Sequence, residues 1–263
     1  MLKAKIKKII NKKNKSPIIC LTAYSKSIAQ IIDKYCDIIL VGDSLGMVVY
    51  GMKTTKEVKL DTMINHAKAV KSATKKSLVV VDMPYQTYLN KFSAYKNAKR
   101  IIKSTKCDAV KLEGGKKIVN IIRYISKKGI PVIGHIGLLP QTAKKFRVKG
   151  KTKLQKKNIL KDAIAISGSG AFAIIIECVV DDLAKEITKS IKIPTIGIGA
   201  SKNCDGQILV TDDMLGLSDF LPKFVKKYGN LKDIIESSVK NFTNDVKMKR
   251  FPFYKNVYKW KKI

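Results

Sequence analysis

Arginine is scarce: Arg100, Arg123, Arg147 and Arg250 are the only four among 53 basic residues, which face 20 acidic ones for a formal charge of +33. Specific base contacts favour the bidentate guanidinium fork, so its scarcity argues against a sequence-reading nucleic-acid protein. The lysines are spread along the whole chain and read as a solvated surface, with no specific nucleic-acid partner expected. A secondary use of such a field would be to steer anionic substrates toward a site. Paired cysteine spacing is missing too. Cys20, Cys36, Cys107, Cys178 and Cys204 are odd in number, form no CxxC and mostly sit in apolar stretches. That pattern fits a reducing cytoplasm better than a disulfide framework or a zinc site.

No apolar run approaches the length needed to span a bilayer. The opening "MLKAKIKKIINKKNK" is basic without an apolar core or a small-residue cleavage site, so a cytoplasmic chain with no membrane partner is expected. No GxGxxG follows the first strand, which removes the main support for an open dinucleotide-binding sheet. There is no repeat beyond a strand–helix rhythm and no long linker.

That rhythm is what the chain does have. Buried strands with little polar alternation recur as "PIICLTAY" from 17, "CDIILVGD" from 36, "SLVVVDMP" from 77, "CDAVKLEGG" from 107, "IPVIGHIG" from 130, "GAFAIIIEC" from 170 and "IPTIGIGA" from 193, with a weaker eighth, "DGQILVTDD", from 205. Between them, residues 25–35, 61–73, 93–105, 116–127, 155–167 and 181–190 carry apolar residues at helical spacing. Strands apolar on both faces that alternate with helices signal a parallel sheet. Eight such units predict a single-domain (β/α)8 TIM barrel over residues 1–263, with helices and a tail from roughly 223 onward as a C-terminal extension.

In such barrels the site lies at the C-terminal strand ends, and polar residues stand there: Asp43 and Ser44, Asp82, Lys111 and Glu113, His135, and Glu177. Alternation points Lys111 and Glu113 to one face and Val110 and Leu112 to the other. A buried ion is costly unless paired, so either Lys111 pairs with Glu113 or it holds a substrate carboxylate. Asp43, Asp82 and Glu113 on successive strand ends would crowd three carboxylates, which calls for a cation. Oxygen ligands of this kind suit Mg²⁺. Each aspartate alone would read as a helix cap or turn. Glu177 follows "AFAIII", where desolvation would raise its pKa toward a general base's range; a salt bridge to a lysine is its plainer role. His135 either touches substrate or is structural, His66 is taken as structural, and the glycines of "GIGASKNCDG" serve a phosphate-type loop or tight turns. A metal beside a lysine, with a base across the barrel, points to enolate chemistry on a 2-oxo acid. A Schiff-base aldolase with Lys111 as nucleophile and a metal-dependent C–C lyase are the competing enzyme classes.

At these residues the chain resembles the ketopantoate hydroxymethyltransferase family. The blocks "LTAY" at 21, "ILVGDSLGMVVYG" at 39, "DMPYQTY" at 82, "VKLEGG" at 110, "IPVIGHIGLLPQ" at 130, "GAFAIIIECV" at 170, "IPTIGIGA" at 193 and "DGQILVTDDMLGL" at 205 follow the family's order. The resemblance implies a Mg²⁺-dependent barrel enzyme of pantothenate biosynthesis. Such an enzyme transfers a one-carbon unit from 5,10-methylenetetrahydrofolate to 3-methyl-2-oxobutanoate and gives 2-dehydropantoate, working as a homo-oligomer. It implies metal sites at Asp43, Asp82 and Glu113, oxo-acid contacts at Asp43, Ser44, Asp82 and Lys111, and Glu177 as proton acceptor. The chain departs from the family in Ser25 for a usual Asp, Leu139 for a usual Thr, a shorter loop after it, and a tail without acidic residues or histidine. Ser25 is expected to cap the next helix as Asp would.

Overall fold

A computed structural model describes residues 2–258. Every expected strand forms: β1 (Ile18–Thr22), β2 (Ile38–Val41), β3 (Leu78–Asp82), β4 (Ala109–Glu113), β5 (Val132–Gly137), β6 (Ala173–Glu177), β7 (Thr195–Ile198) and β8 (Gly206–Leu209). Each pairs in parallel with the next, and β8 returns to β1, so the sheet closes in chain order. The helices are α1 (Leu2–Ile10), α2 (Lys26–Ile32), α3 (Leu45–Val48), α4 (Leu60–Ala73), α5 (Lys91–Thr105), α6 (Val119–Lys127), α7 (Lys153–Ser167), α8 (Asp181–Ser190), α9 (Thr211–Met214) and α10 (Leu231–Lys247). Among the described residues no helix is long and apolar enough to cross a membrane.

Two cores follow from strand alternation. Ile39, Val41, Val79, Val81, Val110, Leu112, Val132, Ile174 and Ile176 point outward and pack against the helical ring. Ile18, Cys20, Ile38, Leu40, Leu78, Val80, Ala109, Ile133, Ala173, Ile175, Ile196 and Ile208 point inward and fill the barrel. The barrel is therefore a packed core and not a pore. As expected, Ser25 caps α2, its hydroxyl accepting from the Ile28 N–H. Cys20, Cys36, Cys107, Cys178 and Cys204 are all free and buried.

The helix α1 falls in the basic opening stretch, where no helix was expected. Ile9 is buried with the inward set, and Ile6 packs beside it, at the end where the strands begin. Lysines near it are tethered: Lys5 Nζ donates to the Ser77 carbonyl at 2.8 Å, Lys12 pairs with Asp37 at 2.7 Å and Lys13 with Asp205 at 2.8 Å. Part of the lysine excess thus holds a plug in the N-terminal mouth of the barrel and is not idle surface charge.

The chain divides into two compact units, residues 1–211 and 212–263. The first contains the complete barrel. The second carries most of the expected C-terminal extension, including α10, on which Ile234, Ile235, Val239, Phe242 and Val246 are exposed. The tail residues 259–263 lie outside the described residues.

Replacing Ile9 by Ala should destabilise the barrel by about 2–5 kcal/mol, the usual cost of truncating a buried isoleucine, and urea denaturation measures it.

Candidate active site

The inward parity of each strand continues into its polar end. Asp82 follows Leu78 and Val80, Lys111 and Glu113 follow Ala109, His135 follows Ile133, and Glu177 follows Ala173 and Ile175. Register brings them level: Asp82 is the cross-strand partner of Lys111, and Glu113 of His135. All except Glu177 are at most 6% exposed, while the Glu177 side chain is 17% exposed. A polar crown thus lies on the apolar barrel filling, and only its Glu177 side is partly open to solvent.

Lys111 answers one open choice. Its ammonium lies 2.9 Å from Asp82 Oδ1 on the neighbouring strand, not on Glu113. Residues two apart on one strand are about 7 Å apart along it, whereas level residues on adjacent strands are about 4.8 Å apart, so the cross-strand carboxylate wins. Asp82 Oδ1 nonetheless has no partner in hydrogen-bond geometry. Burial alone would lower the Lys111 pKa, but Asp82, Asp43 and Glu113 together outweigh it and raise the value, so the side chain stays a cation.

Glu113 turns to the other side. Its Oε1 accepts the Gln141 backbone N–H at 2.8 Å, and its Oε2 lies 3.6 Å from His135 Nδ1. The opposite ring nitrogen, Nε2, lies 3.2 Å from Glu177 Oε2. Burial and the Lys111 charge push the His135 pKa down, against the pull of Glu177, so the ring is held toward its neutral form between two carboxyl groups. Burial pushes Glu113 up to about 9, with Lys111 opposing and Asp43 adding to the rise.

Asp43 stands in the turn after β2. Its N–H donates to Asp82 Oδ2 at 3.1 Å, and its own Oδ2 accepts from Gln141 Nε2 at 2.7 Å. Burial first, then the Asp82 charge, pushes its pKa up to about 7. Ser44, beside it, meets the Tyr24 hydroxyl at 2.8 Å.

The three carboxylates are not gathered into a cage. Among the described residues no group of three or more His, Cys, Asp or Glu side chains stands ready to hold a metal ion. The structure links Asp43 to Asp82 and holds Glu113 to Gln141 and beside His135. The donor chemistry still suits Mg²⁺, which takes one or two protein carboxylates and keeps its remaining places for water and substrate. Asp43 and Glu113 are pushed toward protonation, by burial first and then by neighbouring carboxylates, and a divalent ion beside them would oppose that rise.

Gln141 was not anticipated as a site residue, nor were Tyr88 and Tyr24. Gln141 ends a stretch whose only sequence signal was its place in "IPVIGHIGLLPQ", because a loop amide enters a barrel mouth through the path of the chain and not through any local period. At the altered Leu139 the turn is made by backbone alone: Thr142 and Ala143 N–H groups donate to the Leu139 carbonyl. Gly137 is the cross-strand partner of Glu177, and Cys178 follows Glu177 in the chain. Gly137 takes φ +94, and a Cβ there would lie 2.3 Å from the Glu177 carbonyl oxygen, so only glycine allows β5 to end so close to it. His66 is structural as expected: Nδ1 must donate to the Tyr24 carbonyl at 2.6 Å, so Nε2 accepts from the Tyr50 hydroxyl at 3.0 Å. The 201–207 stretch of the glycine-bearing loop makes turn bonds of its own, with Ser201 Oγ accepting the Asn203 N–H and Gln207 Nε2 donating to the Ser201 carbonyl.

Asp43 and Glu113 have folded-state pKa values above the usual unfolded ones near 4. Their preference for the proton therefore stabilises the metal-free fold fully below about pH 4, and this is lost as pH rises through about 7 and then about 9. Urea denaturation of metal-free protein should show stability from these groups falling across that window, with a shallower fall in Asp43→Asn.

A model of the family described as "Ketopantoate hydroxymethyltransferase" matches residues 3–253. The chain is 54% identical over 254 residues to the 3-methyl-2-oxobutanoate hydroxymethyltransferase of Pelagibacter ubique (strain HTCC1062), covering 97% of this chain and 99% of that one. It is 51% identical over 252 residues to the protein of the same name from Rhizobium etli, covering 94% and 92%. Among solved structures, phosphoenolpyruvate phosphomutase from Streptomyces platensis subsp. rosaceus superposes with a TM-score of 0.64 at 12% identity, covering 94% of this chain and 88% of that one. A 2,3-dimethylmalate lyase of the PEP mutase/isocitrate lyase superfamily reaches 0.63 at 13%, covering 94% and 87%. At such identities these two likenesses speak for the barrel fold alone.

Proposed function

This chain belongs to the ketopantoate hydroxymethyltransferase family, a family of transferases, and from that premise we propose the reaction it performs. It transfers a hydroxymethyl unit from 5,10-methylenetetrahydrofolate to 3-methyl-2-oxobutanoate, giving 2-dehydropantoate in cytoplasmic pantothenate biosynthesis, the route to coenzyme A. The observation that carries this reading is the polar crown itself, where one buried cation, Lys111, stands among Asp43, Asp82 and Glu113 with Glu177 at the open side.

Lys111 is the group that would hold the carboxylate of the oxo acid, in exchange for part of its contact with Asp82. The Ser44 hydroxyl, kept in place by Tyr24, would donate to another substrate oxygen. Asp43, Asp82 and Glu113 are the residues that would hold Mg²⁺. When bound, that ion supplies Lewis-acid stabilisation for the negative charge that develops on the substrate oxygen. Glu177 would take the proton from C3 of the oxo acid. His135, held toward its neutral form, lies 3.2 Å from that carboxylate without a hydrogen bond in this structure and adds no second positive charge there. The resulting carbon nucleophile takes the one-carbon unit, whose two bonds to the folate nitrogens break; water supplies the hydroxyl oxygen, and its two protons together with the one taken from C3 end on the hydroxyl and on the two folate nitrogens as tetrahydrofolate leaves.

One competing chemistry is weakened by the same geometry and a second is separated by experiment. A Schiff-base mechanism needs a neutral lysine, but the carboxylates around Lys111 hold it charged. A lyase acting on a related oxo acid would need no folate, and folate-dependent product formation separates the two. A homo-oligomer is expected from the family.

The experiment is deuterium exchange at C3 of 3-methyl-2-oxobutanoate, followed by NMR with and without Mg²⁺. Wild-type protein should exchange only with the ion, and Glu177→Gln should exchange about 10²- to 10⁴-fold more slowly. A loss under about tenfold would remove Glu177 from the role of base. Asp82→Asn should weaken Mg²⁺ binding, read by titration calorimetry, while far-UV circular dichroism stays that of a folded barrel.

A further inference from the structure

Gln141 reaches two of the three carboxylates at once. Its backbone N–H donates to Glu113 Oε1 at 2.8 Å, and its side-chain Nε2 donates to Asp43 Oδ2 at 2.7 Å and to the Met83 carbonyl at 3.0 Å. The residue is 2% exposed. Its amide can face only one way. Asp43 Oδ2 and the Met83 carbonyl both accept, so the NH₂ group must meet them, and Oε1 is left to accept from the Tyr88 hydroxyl. Both amide hydrogens and the amide oxygen are thereby used, and the Tyr88 contact holds the orientation.

Each carboxylate is gripped by one oxygen. Gln141 takes Asp43 Oδ2 and Glu113 Oε1, and Lys111 stands on Asp82 rather than on either of them. We propose that Gln141 is a positioning residue of the cation site: it holds one oxygen of Asp43 and one of Glu113, which leaves Asp43 Oδ1 and Glu113 Oε2, the latter 3.6 Å from His135 Nδ1, as the oxygens for an ion, with Tyr88 as the lock on its amide. This rests on the reading that Asp43, Asp82 and Glu113 hold a divalent ion. Groups that hydrogen-bond a ligating carboxylate orient it, and their loss typically weakens metal binding. Gln141 supplies that service to two carboxylates from a single loop position, and its backbone contact survives any side-chain replacement. The side-chain contribution can therefore be isolated.

The test is direct Mn²⁺ binding to metal-free protein without substrate, read as the free-ion signal in electron paramagnetic resonance. Gln141→Met keeps the volume and removes the amide. It should raise the Kd for Mn²⁺ about 10- to 100-fold. Tyr88→Phe removes the hydroxyl that meets Gln141 Oε1 and the Glu113 carbonyl and should raise Kd by about two- to tenfold. Thermal melts identify which variants are folded. Folded Gln141→Met with an unchanged or lower Kd would overturn the inference, the lower value making the amide a competitor of the ion. If Gln141→Met does not fold, Tyr88→Phe decides, and an unchanged Kd there overturns it. Wild-type protein that takes up no Mn²⁺ would overturn the metal reading itself, and this inference with it.

Discussion

The site depends on one cation buried among carboxylates. Lys111 and Asp82 face each other across β3 and β4, where removing either charge from water costs several kcal/mol that only close pairing offsets. Burial, with neighbouring carboxylates adding to it, pushes Asp43 and Glu113 toward protonation, and the one ammonium does not cancel that rise. The crown thus holds three carboxyl groups against one ammonium, a poor arrangement for stability and one that the proposed uptake of a cation would relieve. The apolar filling beneath it, closed below by Ile9, supplies the low dielectric that makes these charges act strongly on one another.

The remaining polar residues extend this pairing. Asp43 is tied to Asp82 through its backbone, and Glu113 is drawn away to Gln141 and His135. His135 stays toward neutrality because it is buried near Lys111, so it stands beside Glu177 without adding a second cation. The result is a gradient across the mouth: a cation and its carboxylates at β2 to β4, a neutral ring at β5, and a partly exposed carboxylate at β6. That order suits an oxo acid whose carboxylate and reacting carbon lie at opposite ends.

Much of the fold was legible because parallel barrel strands are apolar on both faces and separated by helices of ordinary spacing. "SLVVVDMP" and "GAFAIIIEC" could be little else. The plug α1 was not legible, since a short lysine-rich segment with Ile6 and Ile9 reads as a solvated leader until a barrel floor exists to receive those two side chains. Gln141 and Tyr88 escaped for a similar reason: glutamine and tyrosine in loops carry no period, and their meaning comes from what the closed barrel brings to them.

The sequence by itself determined where the strands lie and which residues end them on the inner face, because alternation along a strand is a local property of two residues. It therefore sufficed to gather Asp82, Lys111, Glu113, His135 and Glu177 around one mouth. Which of them touch was decided only by tertiary structure. The choice of Asp82 over Glu113 for Lys111 is set by cross-strand register, and the grip of Gln141 on Asp43 and Glu113 by a loop returning over the barrel. Register and loop return are fixed by closure of the whole sheet, a constraint that no short stretch of chain contains.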